Sequence, residues 1–348
     1  MNDILSQVQL NTSAKPLKLG FLGVGWIGRH RMQAILSSGL AQAAVIADPS
    51  PDMLVAAAEL ATDVKCVETL ADMLTEDLDG IVIATPSAMH AQQSIQALQA
   101  GKAVFCQKPL GRTAQEVRSV VEAARQADRL LGVDLSYRHT VGMRAIKDLI
   151  ASREIGDVFA VDLTFHNAYG PDKSWFYDRS LSGGGCIMDL GVHLIDLGLW
   201  ALDFPKVVRV SSDLRSQGKS VKPEATTVED YAAVTLELEG GIIIRIACSW
   251  RLQAGYDSII DASFYGTHGG AAMRNINGSF YDFTTHRFNG TEREEIAPAA
   301  DPWGGLAAVA WARQLATSHA FDADCKKLIY VANVIDRIYA PGTPCHND

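Results

Sequence analysis

The feature that most constrains the fold of this chain is a glycine-rich turn placed directly after a short apolar run. The run covers residues 19–24, and the turn consists of Gly23, Val24, Gly25, Trp26, Ile27 and Gly28. The G-x-G-x-x-G spacing lets one glycine make a tight turn, a second admit a bound group close to the backbone, and a third pack the following helix on the strand. The pattern therefore predicts a β-α-β unit with parallel strands.

Short apolar runs alternate with helix-like segments up to about residue 135. The strand-like runs are 19–24, 43–47, 81–84, 103–106 and 130–133, and the helix-like segments are 30–38, 53–60, 89–100 and 114–127. Strands that are apolar on both faces are typical of a parallel sheet covered by helices. We predict an α/β fold in which residues 1–137 form a doubly wound Rossmann domain.

The second half of the chain has a different pattern, in which apolar and polar side chains alternate. Residues 234–238 and 242–246 alternate with a period of two and are joined by Glu-Gly-Gly at 239–241, which is typical of an antiparallel hairpin. Helix-like segments at about 141–151, 189–202, 304–318 and 323–340 accompany a strand-like run at 158–165. We predict that residues 138–348 form an α+β domain with a mostly antiparallel sheet, whose last helix can pack back on the first domain.

The composition excludes several classes of protein. The chain has 348 residues, with 31 Lys and Arg against 40 Asp and Glu and a net charge of −9, which argues against nucleic-acid binding, and no run of Lys or Arg marks a local basic patch. The apolar stretch at about 187–202 is interrupted by Asp189, His193 and Asp196, which disfavours a membrane span. The N terminus has no secretory pattern, and the six cysteines form no zinc-type spacing. We expect a cytoplasmic protein without nucleic-acid, membrane or metal partners.

The glycine turn and one later carboxylate together indicate a dinucleotide site. Backbone N–H groups of Trp26 and Ile27, at a helix N terminus, would face a pyrophosphate. Asp48 lies 20 residues after Gly28, where a carboxylate binds ribose hydroxyls and repels a 2′-phosphate. No Arg follows it in residues 49–51, so NAD is favoured over NADP as the cofactor. The alternative is a glycine turn without a ligand and an Asp48 that only begins a turn.

Two further segments carry residue types suited to chemistry. The first contains Thr85, Pro86, His90, Gln107, Lys108 and Pro109, at the predicted carboxyl ends of two strands, where ligands bind in a doubly wound sheet. The second leads from three glycines at 183–185 to Asp189 and His193, which are four residues apart and share one helix face. Taken alone, Asp189 can be a helix-start residue and His193 a core histidine. Asp196 extends the same face, but a metal site needs a further ligand that we do not find, so no metal is predicted.

The ordered combination of these motifs resembles the glucose–fructose oxidoreductase / inositol dehydrogenase / rhizopine-catabolism family. The motifs are the glycine turn, T-P-x-x-x-H at 85–90, A-G-K at 100–102 with K-P-L at 108–110, and G-G-G with D-x-x-x-H at 183–193. The resemblance covers nearly the whole chain. It implies a second domain whose large open sheet forms the interface of a homodimer or homotetramer, and an NAD(P)-dependent enzyme that acts on a secondary alcohol of a sugar or cyclitol.

The resemblance also implies roles for individual residues. Lys108 matches the lysine of the family's E-K-P motif, and Asp189 and His193 match its D-x-x-x-H pair. His193, with a reference pKa of about 6.5, would accept the hydroxyl proton, and Lys108 would stabilise the reacting oxygen. Asp189 would orient either the substrate hydroxyls or the catalytic groups. The residues expected to join the glycine turn and Asp48 in the cofactor site are Thr85, Pro86, His90, Gln107 and Lys108.

The chain departs from the family pattern at two positions. Gln107 stands where the family has glutamate, which removes a negative charge beside Lys108, and Ser87 stands where asparagine is common. Neither change removes a predicted proton-transfer group. The enzyme interpretation is therefore kept, while the preferred substrate is left open.

The substrate side is predicted from an aromatic segment before the three glycines. Trp175, Phe176 and Tyr177 offer ring faces that suit the C–H faces of a sugar, and Arg179 suits a carboxylate or phosphate, with ordinary packing as the alternative. The predicted substrate-binding residues are Lys108, Arg138, Trp175, Asp189 and His193. Two other functions are left open, an NAD-dependent glycoside hydrolase of the same superfamily and a non-catalytic dinucleotide-sensing regulator.

Overall fold

A parallel sheet forms the first half of the fold. The computed structural model describes residues 15–222, 225–299 and 302–340, so the N-terminal residues on which the absence of a secretory signal is predicted lie outside it, as does Cys345. The first sheet consists of β1 (Leu17–Leu22), β2 (Ala41–Ala47), β3 (Lys65–Val67), β4 (Gly80–Ile83), β5 (Ala103–Cys106) and β6 (Leu131–Val133), in the order β3-β2-β1-β4-β5-β6. Every neighbouring pair is parallel, which confirms the predicted doubly wound arrangement.

Helices cover both faces of this sheet. They are α1 (Trp26–Ser37), α2 (Pro51–Ala58), α3 (Leu70–Leu74), α4 (Ser87–Gln99) and α5 (Ala114–Ala127). One apolar cluster joins the sheet to α1 and another joins it to α4 and α5. In α5 the buried residues Val117, Val120, Val121 and Ala124 recur at helical spacing, as predicted. The short β3 and α3 escape prediction because they lack a long apolar pattern, and two of the three β3 residues are exposed.

The second sheet is larger and mostly antiparallel, as predicted. It contains β7 (Val158–Asn167), β8 (Val207–Ser216), β9 (Lys219–Ser220), β10 (Tyr231–Leu238), β11 (Ile243–Ser249), β12 (Ser258–Gly266), β13 (Gly270–Asn275), β14 (Phe283–Asn289) and β15 (Glu292–Ala297), in the order β15-β14-β13-β12-β7-β11-β10-β8-β9. Only β7 and β11 pair in parallel among the described strands of this sheet. The predicted hairpin is formed by β10 and β11, with Val234 opposite Ile246.

The helices that accompany this sheet include an irregular turn before the buried one. They are α6 (Val141–Ala151), α7 (Arg179–Ser182), α8 (Val192–Ala201), α9 (Leu306–Thr317) and α10 (Lys326–Tyr339), with short 3₁₀ turns at Ser136–His139, Ser174–Tyr177 and Ala323–Cys325. A π-helical turn at Ile187–Gly191 precedes α8, so the single helix predicted over 189–202 has two geometries. The segment Arg179–Ala201 is long and apolar enough to cross a membrane, but 83% of its apolar window is buried inside the fold.

The last two helices return to the first sheet. The Trp311 ring of α9 lies 5.7 Å from that of Phe105 in β5. Gly80 and Gly132 make room for it, because a Cβ on these residues would come within 2.9 and 2.7 Å of Trp311. Helix α10 packs against α5. These contacts fit the packing expected of the last helix, while the domain limits 1–137 and 138–348 stay a prediction.

Candidate active site

A cavity of about 440 Å³ lies where the carboxyl ends of β1, β4 and β5 meet the helices and loops of the second sheet. The predicted site residues that line it are Trp26, Ile27, Thr85, His90, Gln107, Lys108, Trp175, Asp189 and His193. Six other predicted site residues in the described part of the chain do not line the cavity. They are Gly23, Gly25, Gly28, Asp48, Pro86 and Arg138. The parallel strands thus bring the separate sequence motifs to one edge of the sheet.

In the glycine turn, two glycines have no room for a side chain and the third faces open space. A Cβ on Gly23, which has a φ of +81°, would lie 2.6 Å from the carbonyl oxygen of Ala84, and a Cβ on Gly28 would lie 2.0 Å from that of Gly23. A Cβ on Gly25 would meet nothing within 4 Å in the described structure. Helix α1 begins at the next residue, and no described side chain caps its first N–H groups. An open position beside an uncapped helix N terminus fits the pyrophosphate of a dinucleotide.

Asp48 follows β2 and supports the glycine turn. Its Oδ2 accepts the N–H of Val24 at 2.9 Å, and its Oδ1 accepts the N–H of Ser50 at 2.9 Å. Each carboxylate oxygen has a second lone pair, so each can accept one more hydrogen bond. The same side chain can therefore hold the turn and bind a ribose hydroxyl, although its role in cofactor selection stays a prediction.

Lys108 and Asp189 form an ion pair at the cavity. The Nζ of Lys108 lies 2.9 Å from Oδ1 of Asp189 and 2.7 Å from its carbonyl oxygen. The other carboxylate oxygen, Oδ2, accepts the indole N–H of Trp250 at 3.0 Å. The side chains of the pair are only 19% and 16% exposed. Because each of them makes two charge-assisted contacts, both are held in one orientation.

His193 lies at the start of α8, one turn after Asp189. Its ring meets Tyr137 edge-on, with ring centroids 5.1 Å apart, and its buried Nδ1 has no hydrogen-bond partner among the described residues. Burial, assisted by the nearby cations of Lys108 and Arg31, holds the pKa of His193 well below its ordinary value of 6.5. The imidazole is therefore neutral at pH 7 and able to accept a proton.

His90 connects two strand ends. Its Nδ1 lies 2.7 Å from the carbonyl oxygen of Pro109, and its Nε2 lies 2.6 Å from that of Thr85. The Lys108–Pro109 peptide bond between these elements is cis. The Thr85 hydroxyl donates to Oε1 of Gln93 at 2.6 Å. Both ring nitrogens of His90 lie against backbone carbonyl oxygens, and the ring, which burial keeps neutral by lowering its pKa, donates to one of them. This residue therefore shapes the cavity wall that contains Lys108.

A buried charged network is connected to the backbone of Lys108 through Gln107. Asp134 is fully buried, and its Oδ2 accepts the Nε–H of Arg31 at 2.5 Å and a side-chain amide N–H of Gln107. Gln107 Oε1 in turn accepts the backbone N–H of Lys108 at 3.1 Å. A glutamate at position 107 would place a second carboxylate against Asp134, so glutamine suits this site. The carboxylate that contacts Gln107 belongs to Asp134, and it is paired with Arg31.

The last of the three glycines at 183–185 packs against a residue with a buried carboxylate. A Cβ on Gly185 would lie 1.8 Å from the carbonyl oxygen of Glu229. The Glu229 side chain, which is 2% exposed, accepts the N–H groups of Gly185 and Ile187 at distances from 2.9 to 3.1 Å. A carboxylate at such a position stabilises the start of a helix. Glu229 thereby holds the π-helical turn that carries Asp189, a contact that no local motif indicates.

Two arginines considered in the sequence analysis lie away from the cavity. Nε of Arg138 lies 2.6 Å from Oδ2 of Asp196, and a second nitrogen pairs with the other carboxylate oxygen. Arg179 donates to the carbonyl oxygen of Ala225 at 2.7 Å. The position of Arg138 gives no support to the substrate contact predicted for it. Asp196 is engaged by Arg138, and no group of three His, Cys, Asp or Glu that could hold a metal occurs among the described residues.

Aromatic side chains line the cavity in two clusters. The first, which we call the Trp175 cluster, consists of Trp175 and Phe176, whose ring centroids are 3.8 Å apart. The second, the Tyr137 cluster, consists of Tyr137 and Trp303, whose centroids are 5.0 Å apart, together with Phe165. Trp175 therefore lies at the cavity as expected. Trp303 lies far from the other motifs along the chain, and no local pattern indicates it.

Two family models match the chain in succession. Residues 17–135 match the model described as an oxidoreductase family with an NAD-binding Rossmann fold, and residues 143–272 match the GFO/IDH/MocA C-terminal domain. The first match contains Lys108, and the second contains Asp189 and His193. The family resemblance seen in the motifs is thereby confirmed.

Known proteins are similar to this chain over much of its length. It is 30% identical over 262 residues to inositol 2-dehydrogenase of Acidiphilium cryptum, and the alignment covers 74% of both chains. It is 26% identical over 205 residues to D-glucoside 3-dehydrogenase of Escherichia coli. That alignment covers 56% of this chain and only 58% of the length of the relative. The structure of levoglucosan dehydrogenase with NADH and L-sorbose has a TM-score of 0.77 at 19% identity, covering 94% of this chain and 96% of the other. This structural similarity shows only that the two proteins share a fold.

Proposed function

Because the chain belongs to the GFO/IDH/MocA oxidoreductase family, with its NAD-binding Rossmann fold, we propose that it is an NAD-dependent dehydrogenase acting on a secondary alcohol of a sugar, sugar derivative or cyclitol. The observation that carries this proposal is the convergence of Lys108, Asp189 and His193 on one cavity at the carboxyl end of the first sheet. A proton acceptor, a cation and an orienting carboxylate are groups that can promote the oxidation of an alcohol.

The glycine turn and the strand ends are the proposed cofactor site. When bound, NAD supplies the redox chemistry, because its nicotinamide ring takes up the hydride of the alcohol. The open position at Gly25 and the N–H groups of Trp26 and Ile27 would hold the pyrophosphate, and Asp48 would bind the ribose and disfavour NADP. The residues proposed to form the remaining wall of this site are Thr85, Pro86, His90, Gln107 and Lys108.

His193 is the proposed general base. Its lowered pKa keeps the ring neutral at physiological pH, which is the form that removes a proton from a hydroxyl group. The contact with Tyr137 restricts the orientation of the ring. In the reverse direction, the protonated ring would return the proton to the alkoxide.

Lys108 is the proposed stabiliser of the reacting oxygen. Its ammonium group has three N–H donors, and two of them are used by the carboxylate and the carbonyl oxygen of Asp189. The third donor is available to the substrate oxygen, on which negative charge develops as the proton leaves. Asp189 orients this ammonium and can also accept a neighbouring substrate hydroxyl.

The proposal is tested by NADH formation with a panel of sugars and cyclitols. We expect the wild-type protein to form NADH with at least one neutral sugar or inositol. Lys108→Met should lower kcat/KM by about 10²–10³-fold, because the developing charge loses its donor. Lys65→Met is the matched control, because this lysine is 58% exposed and lies outside the cavity.

The same panel distinguishes the two other functions. Cleavage of glycosides that requires NAD but produces no net NADH would indicate the glycoside hydrolase. Binding of NAD without turnover or cleavage of any member would indicate a sensing regulator. Full activity of Lys108→Met would contradict the role given to this lysine.

We further propose that the chain associates through the outer face of the second sheet. Helix α8 packs on the inner face, whereas the outer face carries Asp162, Thr235 and Arg245 without a covering helix among the described residues. Arg245 Nη2 lies 2.5 Å from Oδ2 of Asp162 across two strands. Sedimentation should give a homodimer or homotetramer of the 37.5 kDa chain, and a monomer at micromolar concentration would contradict this proposal.

A further inference from the structure

We propose that Asp134 is a positioning residue, and that its buried carboxylate places both Lys108 and His193 for the reaction from outside the cavity. This inference rests on the proposed function and adds to it a residue that acts through other side chains. Three observations support it. They are the burial of Asp134, the side chains that donate to its carboxylate, and the elements of the cavity wall to which those side chains belong.

Asp134 lies directly after β6, at the carboxyl end of the first sheet. It is fully buried and does not line the described cavity. Its backbone N–H donates to the carbonyl oxygen of Cys106 at 3.0 Å, which joins the end of β6 to the end of β5. A carboxylate in such a place is shielded from water, so the surrounding protein must supply its cation and its hydrogen-bond donors.

Three side chains supply these contacts to Asp134. Its Oδ2 accepts the Nε–H of Arg31 at 2.5 Å and a side-chain amide N–H of Gln107. Its Oδ1 accepts the hydroxyl of Ser136 at 2.8 Å. The three donors are buried, they line the cavity, and they belong to α1, to the segment after β5 and to the 3₁₀ turn after β6. One carboxylate therefore connects three separate elements of the cavity wall.

The contact with Gln107 fixes the backbone of Lys108. Oε1 of Gln107 accepts the N–H of Lys108 at 3.1 Å, while the amide N–H of the same side chain donates to Asp134. If the amide were rotated by half a turn, its oxygen would face the carboxylate and its own N–H groups would face the N–H of Lys108. Both of those contacts are repulsive. Asp134 therefore selects the orientation of Gln107 that holds the Lys108 backbone.

The contact with Ser136 fixes the surroundings of His193. Ser136 begins the 3₁₀ turn that contains Tyr137, and the Tyr137 ring meets the imidazole edge-on with centroids 5.1 Å apart. The buried Nδ1 of His193 has no hydrogen-bond partner in the described part of the chain, so the orientation of the ring depends on packing of this kind. Loss of the Ser136 contact would loosen the turn and misdirect the ring that accepts the proton.

The contact with Arg31 balances the charge of the wall. Arg31 is only 7% exposed although it lines the cavity, and its carboxylate partner in the described structure is Asp134. The nearby Lys108 has its own partner in Asp189. Without Asp134, the buried guanidinium would be unpaired, which is strongly unfavourable, and the wall would rearrange. The Arg31–Asp134 pair therefore keeps α1 and the two strand ends in one arrangement.

The first experiment removes the charge of Asp134 and keeps its shape. With the best substrate of the NADH panel, we expect Asp134→Asn to lower kcat by about tenfold or more at saturating NAD, because Lys108 and His193 lose their common support. KM for that substrate should change less than kcat, since Asp134 does not line the cavity. Asp203→Asn is the matched control and should keep the wild-type kcat. It removes an exposed ion pair with Lys147 outside the cavity, and asparagine accepts the φ of +58° at this position.

The second experiment moves the negative charge to position 107. Gln107→Glu places two carboxylates in contact, and such a pair retains one proton until the pH rises. We expect this variant to approach the wild-type kcat at about pH 6 and to fall about tenfold or more below it by about pH 9, where both carboxylates are ionised and repel each other. The double variant Gln107→Glu/Asp134→Asn again has one carboxylate and one amide in contact beside Arg31. It should stay within about threefold of the wild type at each pH.

The other titratable groups near this carboxylate do not account for such an alkaline loss. Burial and neighbouring arginines lower the pKa of His30, and they lower that of His139 to about 4, so both rings are neutral above pH 7. Burial raises the pKa of the Cys106 thiol to about 12, so the thiol stays protonated. Arg31 keeps its charge throughout. Lys108 is common to the wild type and all the variants, so comparison at each pH cancels its contribution.

Three results would overturn the role of Asp134. They are a folded Asp134→Asn protein with the wild-type kcat, a Gln107→Glu variant that follows the wild type from acid to alkaline pH, and a double variant no faster than either single one. If Asp134→Asn does not fold, Gln107→Glu and the double variant still decide, because a merely structural carboxylate gives no pH-dependent loss of kcat that a second substitution cancels. A wild-type protein that forms no NADH with any member of the panel overturns the proposed function, and this inference with it.

Discussion

The two walls of the cavity differ in the way their residues are brought together. On the first wall, the glycine turn and Asp48 belong to one β-α-β unit, and the Asp48–Val24 bond joins residues 24 positions apart. On the second wall, Asp189 depends on Trp250, 61 positions away, while its π-helical turn depends on a contact between Glu229 and Ile187 that spans 42 positions. The proposed cofactor wall is therefore local, whereas the proposed substrate wall is assembled by the second sheet.

This difference has a consequence for how each wall responds to mutation. A local turn is specified by its own backbone requirements, as Gly23 and Gly28 illustrate, and a change there acts on the cofactor alone. An assembled wall holds its charged groups through distant packing, so small displacements reach the proposed reacting groups. Variants of the second wall should therefore lower turnover without changing NAD affinity. Variants of the first wall should change the binding of the cofactor without lowering turnover at saturating cofactor.

The largest effect is expected for His193→Asn on the second wall. Loss of the general base should lower kcat by about 10²–10⁴-fold with NAD affinity unchanged. The pKa of His193 is depressed, so in the wild-type protein kcat/KM should fall only when the pH drops through a value well below 6.5, where the ring becomes protonated. Rates measured from acid to neutral pH check both statements.

The control for this prediction is His268→Asn, an exposed residue outside the cavity, which should keep the wild-type rate and pH profile. An acidic limb centred near 6.5 would contradict the depressed pKa. Turnover of His193→Asn close to the wild-type rate would remove this residue from the chemistry and with it the proposed role of the second wall.

An intermediate effect is expected for Asp48→Asn on the first wall. The amide no longer repels a 2′-phosphate, so the preference for NAD over NADP in kcat/KM should shrink by on the order of a hundredfold. The turn should be kept in part, because the amide oxygen can still accept one of the two backbone N–H groups. Asp52→Asn, on an exposed position of α2, is the matched control. An unchanged NAD preference would contradict the proposed role of Asp48 in cofactor selection.

The sequence predicts the first wall better than the second for a physical reason. The G-x-G-x-x-G turn, and the positions of Thr85 and Lys108 at strand ends, follow from local backbone rules and from parallel strand order. The pairing of Lys108 with Asp189 needs the relative placement of two sheets, which no spacing encodes. The spacing of Asp189 and His193 indicates a shared helix face, and the family resemblance implies their roles, but neither indicates the π-helical turn that carries Asp189.

The residues that escaped prediction share one property. Glu229, Trp250 and Asp134 act through contacts with residues far away in the chain, and each lies at an ordinary strand end or in a loop. Arg138 differs from these residues, because a substrate contact is predicted for it from its place near the junction, while in the structure it pairs with the buried Asp196. Side chains that are specified by tertiary partners are thus the part of the site that local patterns miss.

The smallest effect is expected for Trp250→Phe, which removes one support of the second wall. The indole N–H donates to Oδ2 of Asp189 at 3.0 Å, and a hydrogen bond to a charged group contributes about 1.5–3 kcal/mol, or roughly 10- to 100-fold in rate if the whole contribution is lost in the reaction. Lys108 still holds the other oxygen of Asp189, so we expect a decrease in kcat of only about fivefold to tenfold. Trp311→Phe removes the same ring area, but its buried Nε1 has no partner among the described residues, so it should cost stability without this loss of turnover. Equal turnover of the two variants, measured at saturating NAD, would mean that Asp189 does not need its distant support.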